Sequence, residues 1–368
     1  MFPPVPVFTC SLCFMTEEFN IYEKQIIFAN EKYISRTDMK FRTEYKAIQS
    51  SVSFTPAKPV VLLGSCFAEN IASKMRESLW WADNPLGTLY NPLSIAKALR
   101  LSLLSMFPEK EFEKSLFLSE QKYHSWYFDS SFSAYSAVDA IASFNSRRLM
   151  LSDMLSKGNK LIVTFGTAWI YLLQPKNLEP VGNCHKQPSS LFLRKRLSII
   201  EIIEEWTSLL ELLRKLLPSL EVVFTVSPVR HLKDGFEGNS QSKAILLLAV
   251  EELCKKFDFC RYFPAFEIVN DDLRNYRFYA SDLVHPSDEA IEYIWEIFKD
   301  TFINKEAREI LSKGEKIYKA ISHRPLPDAS VLIPGPVNLK MEKYRNEIIE
   351  DYIGFKKLYP DILTLNLP

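Results

Sequence analysis

Ser65 and His285 are the residues from which chemistry can be argued. In "VVLLGSCFAEN", residues 60–70, four apolar residues run into Gly64, Ser65 and Cys66, and the pattern then turns helical. A hydroxyl between a buried strand and a helix stands at the carboxyl edge of a sheet. It also stands at a helix N-terminus, where free N–H groups and the dipole favour developing negative charge. That is a nucleophile's position, with Gly64 allowing a tight turn before it. The same serine would also make an ordinary N-cap. A nucleophilic serine needs a base, and the chain has five histidines, His124, His185, His231, His285 and His323. In "SDLVHPS" Asp282 precedes His285 by three residues, a spacing that lets a carboxylate orient an imidazole within one loop. Serine, imidazole and carboxylate together make acyl transfer the indicated chemistry.

The elements around them are those of an α/β protein. "PVVLLG", "KLIVTFG" and "LEVVFTVSP" are continuous apolar runs, as strands covered on both faces are. "WWADNPLG" reads as a short strand and "RYFPAFEIV" as a fifth. Between them lie helical stretches: "FAENIASKMRESL", "NPLSIAKALRLSLL", "VDAIASFNSRRLMLSDMLSKG", "RLSIIEIIEEWTSLLELLRKLLP" and "SQSKAILLLAVEELCKKF". "DEAIEYIWEIFKDTF" follows the Asp-x-x-His loop. "AWIYLLQPKNLEPVGNCHK" reads as a β-hairpin excursion, and Arg194, Lys195 and Arg196 as the solvated opening of a helix. Strands alternating with helices predict a parallel sheet with helices on both faces. Ligands then bind beyond the carboxyl ends of the strands. Residues 1–38 show no sustained period and are expected to be an extension, with Met39 a candidate natural start. Residues 39–300 carry the domain, and 301–368 are expected to form an appended helical region.

The totals exclude several classes. Across 368 residues, Lys+Arg and Asp+Glu are 45 each, so no global field draws nucleic acid or an anionic membrane. The hydrophobic share of 47% and charged share of 24% are those of a globular protein. No apolar run reaches the roughly 18 residues of a membrane span. The six cysteines lack metal-site spacing, Cys10-x-x-Cys13 being a lone pair. Reduced thiols and a cytoplasmic location are expected. No glycine-rich phosphate cradle follows a strand, which excludes the common nucleotide folds.

Beyond these readings, "LLGSCFAENIASKM", "NPLGTLYNPLSIA", "VTFGTAWIY", "NCHK", "FTVSPVRHLKDG", "SKAILLLA" and "YRFYASDLVHPS" resemble, in order, the blocks of the GSCFA family over roughly residues 39–300. That family is similar to the SGNH, or GDSL-like, hydrolases. The resemblance implies a flavodoxin-like three-layer α/β/α sandwich with a parallel sheet. It also implies a Ser65–His285–Asp282 triad and an oxyanion hole using the amides of Ser65 and Gly87. Where the superfamily has Gly-x-Asn-Asp, this chain has Gly166-Thr167-Ala168-Trp169. An amide from elsewhere would then supply the missing donor: Asn183 in preference, or Asn91.

Further candidates for substrate contact are Asn91, Thr167, His185, Arg230 and His231. Arg230 and His231 follow the fourth strand and suit an anionic or hydroxyl-rich ligand. Trp80, Trp81 and the aromatic insertion at 123–135 read as core and lid packing. The indicated activity is ester hydrolysis through an acyl-enzyme with no metal or organic cofactor. The substrate would be a small-molecule or carbohydrate ester. Two rival readings remain at this stage: a non-catalytic binding protein on the same fold, and an acyltransferase to a sugar hydroxyl.

Overall fold

Five parallel strands form the centre of the molecule. They are β1 (Val60–Gly64), β2 (Ala82–Asp83), β5 (Lys160–Phe165), β9 (Glu221–Val226) and β10 (Cys260–Phe263), in the order β10-β9-β5-β1-β2. In sheet-strand order this is 2-1-3-4-5, the flavodoxin-like arrangement, whose topological switch point lies between β1 and β5. The computed structural model describes residues 42–322 and 336–365, with side chains from 346 onward in the second segment. The expected N-terminal extension, Met39, Cys10, Cys13, His323 and most of the Pro-rich stretch at 323–336 lie outside the described residues. The described fold belongs to the unit Tyr45–Pro368.

The strands are apolar throughout because both faces are covered. Val61, Leu63, Leu161, Val163, Phe165, Val222, Phe224 and Val226 share one core. Packed on it are α2 (Pro92–Leu99), α4 (Ala137–Gly158), α5 (Ile199–Leu216) and α6 (Gly235–Lys256). Val60, Leu62, Ile162 and Val223 face the other way, onto α1 (Cys66–Arg76), α7 (Asp288–Phe302) and the start of α8 (Lys305–Ser322). This is the expected three-layer α/β/α sandwich. α9 (Pro336–Leu358) leads into a segment whose Leu363 N–H donates to Leu79 O at 2.9 Å, while Lys58 pairs with Asp361 at 3.1 Å. The C-terminal helices therefore pack on the turn after α1.

Local rules account for most helix boundaries. Ser198 and Glu201 form a reciprocal capping box at the start of α5, and Ser287 caps α7 by accepting from Ala290 N. Two sequence expectations are corrected. Arg194, Lys195 and Arg196 lie in strand β8 (Phe192–Arg196), antiparallel to β6 (Trp169–Leu173), and do not open a helix. The helix waits for its cap at Ser198. The fifth strand ends at Phe263: Pro264 has no N–H for a ladder, and the chain turns helical after it.

The aromatic insertion folds as the hairpin β3 (Leu116–Ser119) and β4 (Lys122–Ser125), with β7 (Glu179–Val181) completing the small sheet of β6 and β8. Phe128 and Phe132 are fully buried with Phe112 of α3 (Pro108–Lys114), which stacks on Phe144 at 4.4 Å. Trp80 is fully buried as well and Trp81 partly so. The insertion's phenylalanines are core. No helix among the described residues is long and apolar enough to cross a membrane.

Candidate active site

The register of the sheet brings Gly64, Thr164 and Thr225 into one row at its carboxyl end. Ser65 is the next residue, beyond β1, at the N-cap position of α1 with φ −72° and ψ 173°. Its hydroxyl caps nothing. Ser65 is 1% exposed, and its Oγ is buried without a hydrogen-bond partner. Leaving a buried hydroxyl unpaired costs about 1–3 kcal/mol, so such groups call for a functional explanation. Gly64 is required here twice over. Its φ is +128°, and a Cβ would sit 2.1 Å from Thr164 O. Gly166, after β5, closes the other side: a Cβ on it would lie 3.4 Å from Ser65 Cβ and 2.9 Å from Tyr90 O.

The second half of the site is one loop. Asp282 Oδ1 accepts from the N–H groups of Val284 (2.9 Å) and His285 (3.0 Å), while Oδ2 meets His285 Nδ1 at 2.6 Å. The turn puts Leu283 in the left-handed region, φ +59°. The backbone and imidazole of His285, with the N–H of Val284, hold the Asp282 carboxyl down to about 2. It is thus ionised at neutral pH and fixes the proton on Nδ1, freeing Nε2 to accept. Ala280 N donates to His285 O (2.8 Å) and Ser287 N to Phe278 O (2.8 Å), closing the loop on itself. Arg230 N donates to Val284 O at 3.3 Å, tying the loop to the exit of β9.

His231 links the two halves. Burial first, then the nearby Lys243 cation, lowers its imidazole to about 4, with the Gly166 backbone opposing as a hydrogen-bond partner and His285 among the further repulsive neighbours. It is neutral at physiological pH, and its ring stands edge-on to Tyr90 at 6.1 Å. The Asp282 carboxylate also acts on Cys66, next to Ser65, so the loop lies on the serine's side of the sheet. The Ser65 Oγ–His285 hydrogen bond expected from the sequence is not formed, since Oγ has no partner. Burial pushes the neighbouring Cys66 thiol up, despite the N–H groups of Phe67 and Cys66, which leaves it a poor nucleophile.

The remaining sequence candidates fall into two groups. The main-chain oxyanion donors are corrected: Gly87 N–H closes a turn onto Asn84 O (3.2 Å), and Ser65 N–H donates to Thr164 O (3.3 Å). Gly87 instead packs against the Asp129 carboxylate. Thr167 Oγ1 meets Ser242 Oγ (3.1 Å) and accepts from Trp169 N (3.1 Å), which makes it part of the turn after β5. His185 Nε2 donates to the carbonyls of Ser125 (2.7 Å) and Phe128 (3.0 Å), pinning its loop to the β4 hairpin.

Asn91 and Asn183 differ from these. Asn91 Oδ1 accepts from Ser94 N (2.9 Å), capping α2, and Asn183 Oδ1 accepts from His185 N (2.7 Å). Each carbonyl is engaged by a main-chain N–H, which leaves the amide NH2 as the donor end of the side chain. Both lie by the serine's strand. Leu89 N donates to Gly64 O (2.9 Å), Asn91 follows two residues on, and Gly182, before Asn183, packs on Leu89. Arg230 spreads its guanidinium over Tyr279 (4.4 Å) and Tyr276 (5.3 Å), both upstream of Asp282.

Sequence reading missed Lys243. It is 1% exposed, and its Nζ donates to Gly166 O (2.6 Å) and Ser227 O (2.7 Å). A signal was present, because Lys243 shares a helical stripe with Leu246, Val250 and Leu253, all buried on α6. Among the described residues no group of His, Cys, Asp and Glu is arranged to hold a metal.

No curated protein matches the chain. A family model does: it spans residues 59–298, from the residue before β1 into α7 and across every side chain of the site. The chain belongs to the GSCFA family.

Proposed function

We propose that this chain is a serine acyl hydrolase of the SGNH type, acting on ester bonds, with O-acylated carbohydrate as the leading substrate class. One observation carries the reading. The Asp282–His285 pair, at 2.6 Å, sits in a loop tied to the exit of β9, and Ser65 stands at the same end of the sheet, between β1 and a helix N-terminus. In this reading Ser65 Oγ attacks the ester carbonyl while His285 Nε2 takes its proton. Asp282 holds the imidazole tautomer and stabilises the imidazolium. The tetrahedral oxyanion is received by side-chain amides, Asn91 Nδ2 and Asn183 Nδ2, since the two main-chain donors are engaged. His285 then gives the proton to the departing alkoxide, leaving an acyl-serine. A water deprotonated by His285 attacks that ester, releasing the acid and restoring Ser65. These steps use only the named side chains and water. They require the Oγ–Nε2 hydrogen bond to form as substrate binds, a tightening that free enzymes often show.

The test is labelling with a serine-directed fluorophosphonate, alongside hydrolysis of p-nitrophenyl acetate. Expected are a phosphonylated peptide containing Ser65 and hydrolysis falling by at least about 10⁴-fold in Ser65→Ala. A folded wild type that takes no label at Ser65 refutes the reading. It would favour a non-catalytic binding protein on the same fold, supported by Gly166-Thr167-Ala168-Trp169 standing where the hydrolases have an asparagine.

A further inference from the structure

We infer that Lys243 is a positioning residue for the Ser65 reaction, gripping the Gly166 peptide against the serine and placing a buried positive charge behind it. The inference rests on the serine-hydrolase reading and extends it to a residue on α6. Nζ joins the exits of two adjacent strands, through Gly166 O after β5 and Ser227 O after β9, at 2.6 and 2.7 Å. Among the described residues it pairs with no carboxylate, and its two acceptors are carbonyls. The gripped residue packs beside the serine: a Cβ on Gly166 would lie 3.4 Å from Ser65 Cβ, and only 2.9 Å from Tyr90 O, which is what keeps the position glycine. Its neighbour Ser242 holds the same turn by accepting from Ala168 N at 2.7 Å. Two consecutive residues of α6 thus fix the segment that walls Ser65.

A chain of dipoles starts at this cation. Lys243 donates to Gly166 O; the N–H of that same peptide, on Thr167, donates to Tyr90 O at 2.9 Å; and the Tyr90 peptide carries the N–H of Asn91. Hydrogen-bonded peptides in series polarise one another, and a charge at the head strengthens the effect. The polarised end is the main-chain N–H of Asn91, the residue whose side-chain Nδ2 is proposed to meet the oxyanion. A neutral donor such as glutamine would bridge two carbonyls without the penalty of burying a charge, several kcal/mol before compensation. A lysine here in place of such a neutral donor argues for the field of its ammonium. Burial lowers this lysine to about 7, so the charged form and its field prevail below that pH and are lost above it.

The experiment compares fluorophosphonate inactivation of wild type, Lys243→Met and Lys243→Arg, each well below its own Tm. Lys243→Met is expected to lower the limiting inactivation rate by about 10²-fold, the loss typical of one preorganised donor, with the half-saturating phosphonate concentration unchanged. Lys243→Arg, which keeps charge and donors, is expected to recover most of that loss. A Met variant that is less heat-stable but labels at the wild-type rate overturns the inference, because the lysine is then structural only. If Lys243→Met does not fold, Lys243→Gln takes its place, and an unchanged limiting rate there overturns it equally. A wild type that takes no label at Ser65 fails the underlying reading, and the inference falls with it.

Discussion

Ser65 is held by segments far apart in the chain, whereas His285 is held by its own loop. Around the serine stand Gly64 of β1, Thr164 and Gly166 of β5 and its exit, Tyr90 before α2, and Lys243 of α6. Around the histidine stand Asp282, Leu283, Val284 and Ala280, all within five residues. The first half is buried; in the second, the side chains of Asp282 and His285 are 49% and 45% exposed. The difference teaches where each kind of precision comes from. A nucleophile's place is set by sheet register and close packing. A base's orientation needs only a carboxylate that grips its own turn. Damage to the first half should therefore cost the fold, and damage to the second should cost rate alone.

The largest separation of these effects is expected from Asp282→Asn. Asparagine keeps an oxygen for the N–H groups of Val284 and His285, so the turn survives. It removes the anion that fixes Nδ1–H and stabilises the imidazolium. Ester hydrolysis is expected to fall by about 10³–10⁴-fold in kcat. Tm at neutral pH should fall by no more than a few degrees, the screened share of stability that an exposed carboxylate contributes. A pH series adds a signed test. Because the folded state holds this carboxyl below its ordinary value of 3.8, at about 2, Asp282 contributes stability above 3.8 that is lost as pH falls toward 2. The variant lacks that share of the acid sensitivity. A large drop in Tm at neutral pH would show that the loop is not self-sufficient.

Gly64→Ala probes the opposite half. Alanine at φ +128° is strained, and its Cβ would lie 2.1 Å from Thr164 O, a backbone atom that cannot step aside within the sheet. A loss of about 3 kcal/mol or more is expected, read as a Tm lower by about 5–10 °C. Thermal melting of wild type and variant checks it. A variant as stable as wild type would mean that the serine's seat is softer than the register implies.

The sequence made the second half easier to read than the first. Asp-x-x-His is a local pattern whose geometry follows from three residues of chain, and the structure has it at 2.6 Å. The parallel sheet was legible too, because strands covered on both faces are continuous apolar runs. α7 was legible because Ser287 and the apolar stripe announce it. The wall around Ser65 was not, since it consists of main-chain groups of Tyr90, Thr164 and Gly166 from other segments of the chain, and backbone carbonyls leave no mark in a sequence. Gly87 resembled an oxyanion donor by block order, yet its N–H closes the Asn84 turn. Arg194, Lys195 and Arg196 resembled a helix start because charge there says only that a face is wet; pairing with β6 decided the element.

Leu283→Gly gives the smallest expected effect and the finest test of the contrast. Leu283 sits at φ +59°, where a side chain costs about 1 kcal/mol, and that strain is sustained by Asp282 bonding to the two following N–H groups. Glycine removes the strain but adds backbone freedom to the unfolded chain, of similar size. Net stability should therefore change by no more than about 0.5 kcal/mol, measured by denaturant unfolding. The folded loop, however, gains alternatives in which the imidazole leaves the carboxylate. Catalysis requires the pair to be aligned, so kcat is expected to fall by about 2- to 5-fold with KM unchanged, the pattern of a lost transition-state alignment. If kcat holds while stability shifts, the left-handed turn is a by-product of chain direction. If kcat falls while stability holds, the turn's strain is what keeps the imidazole aimed, and the exposed half of the site owes its order to one unfavourable dihedral angle.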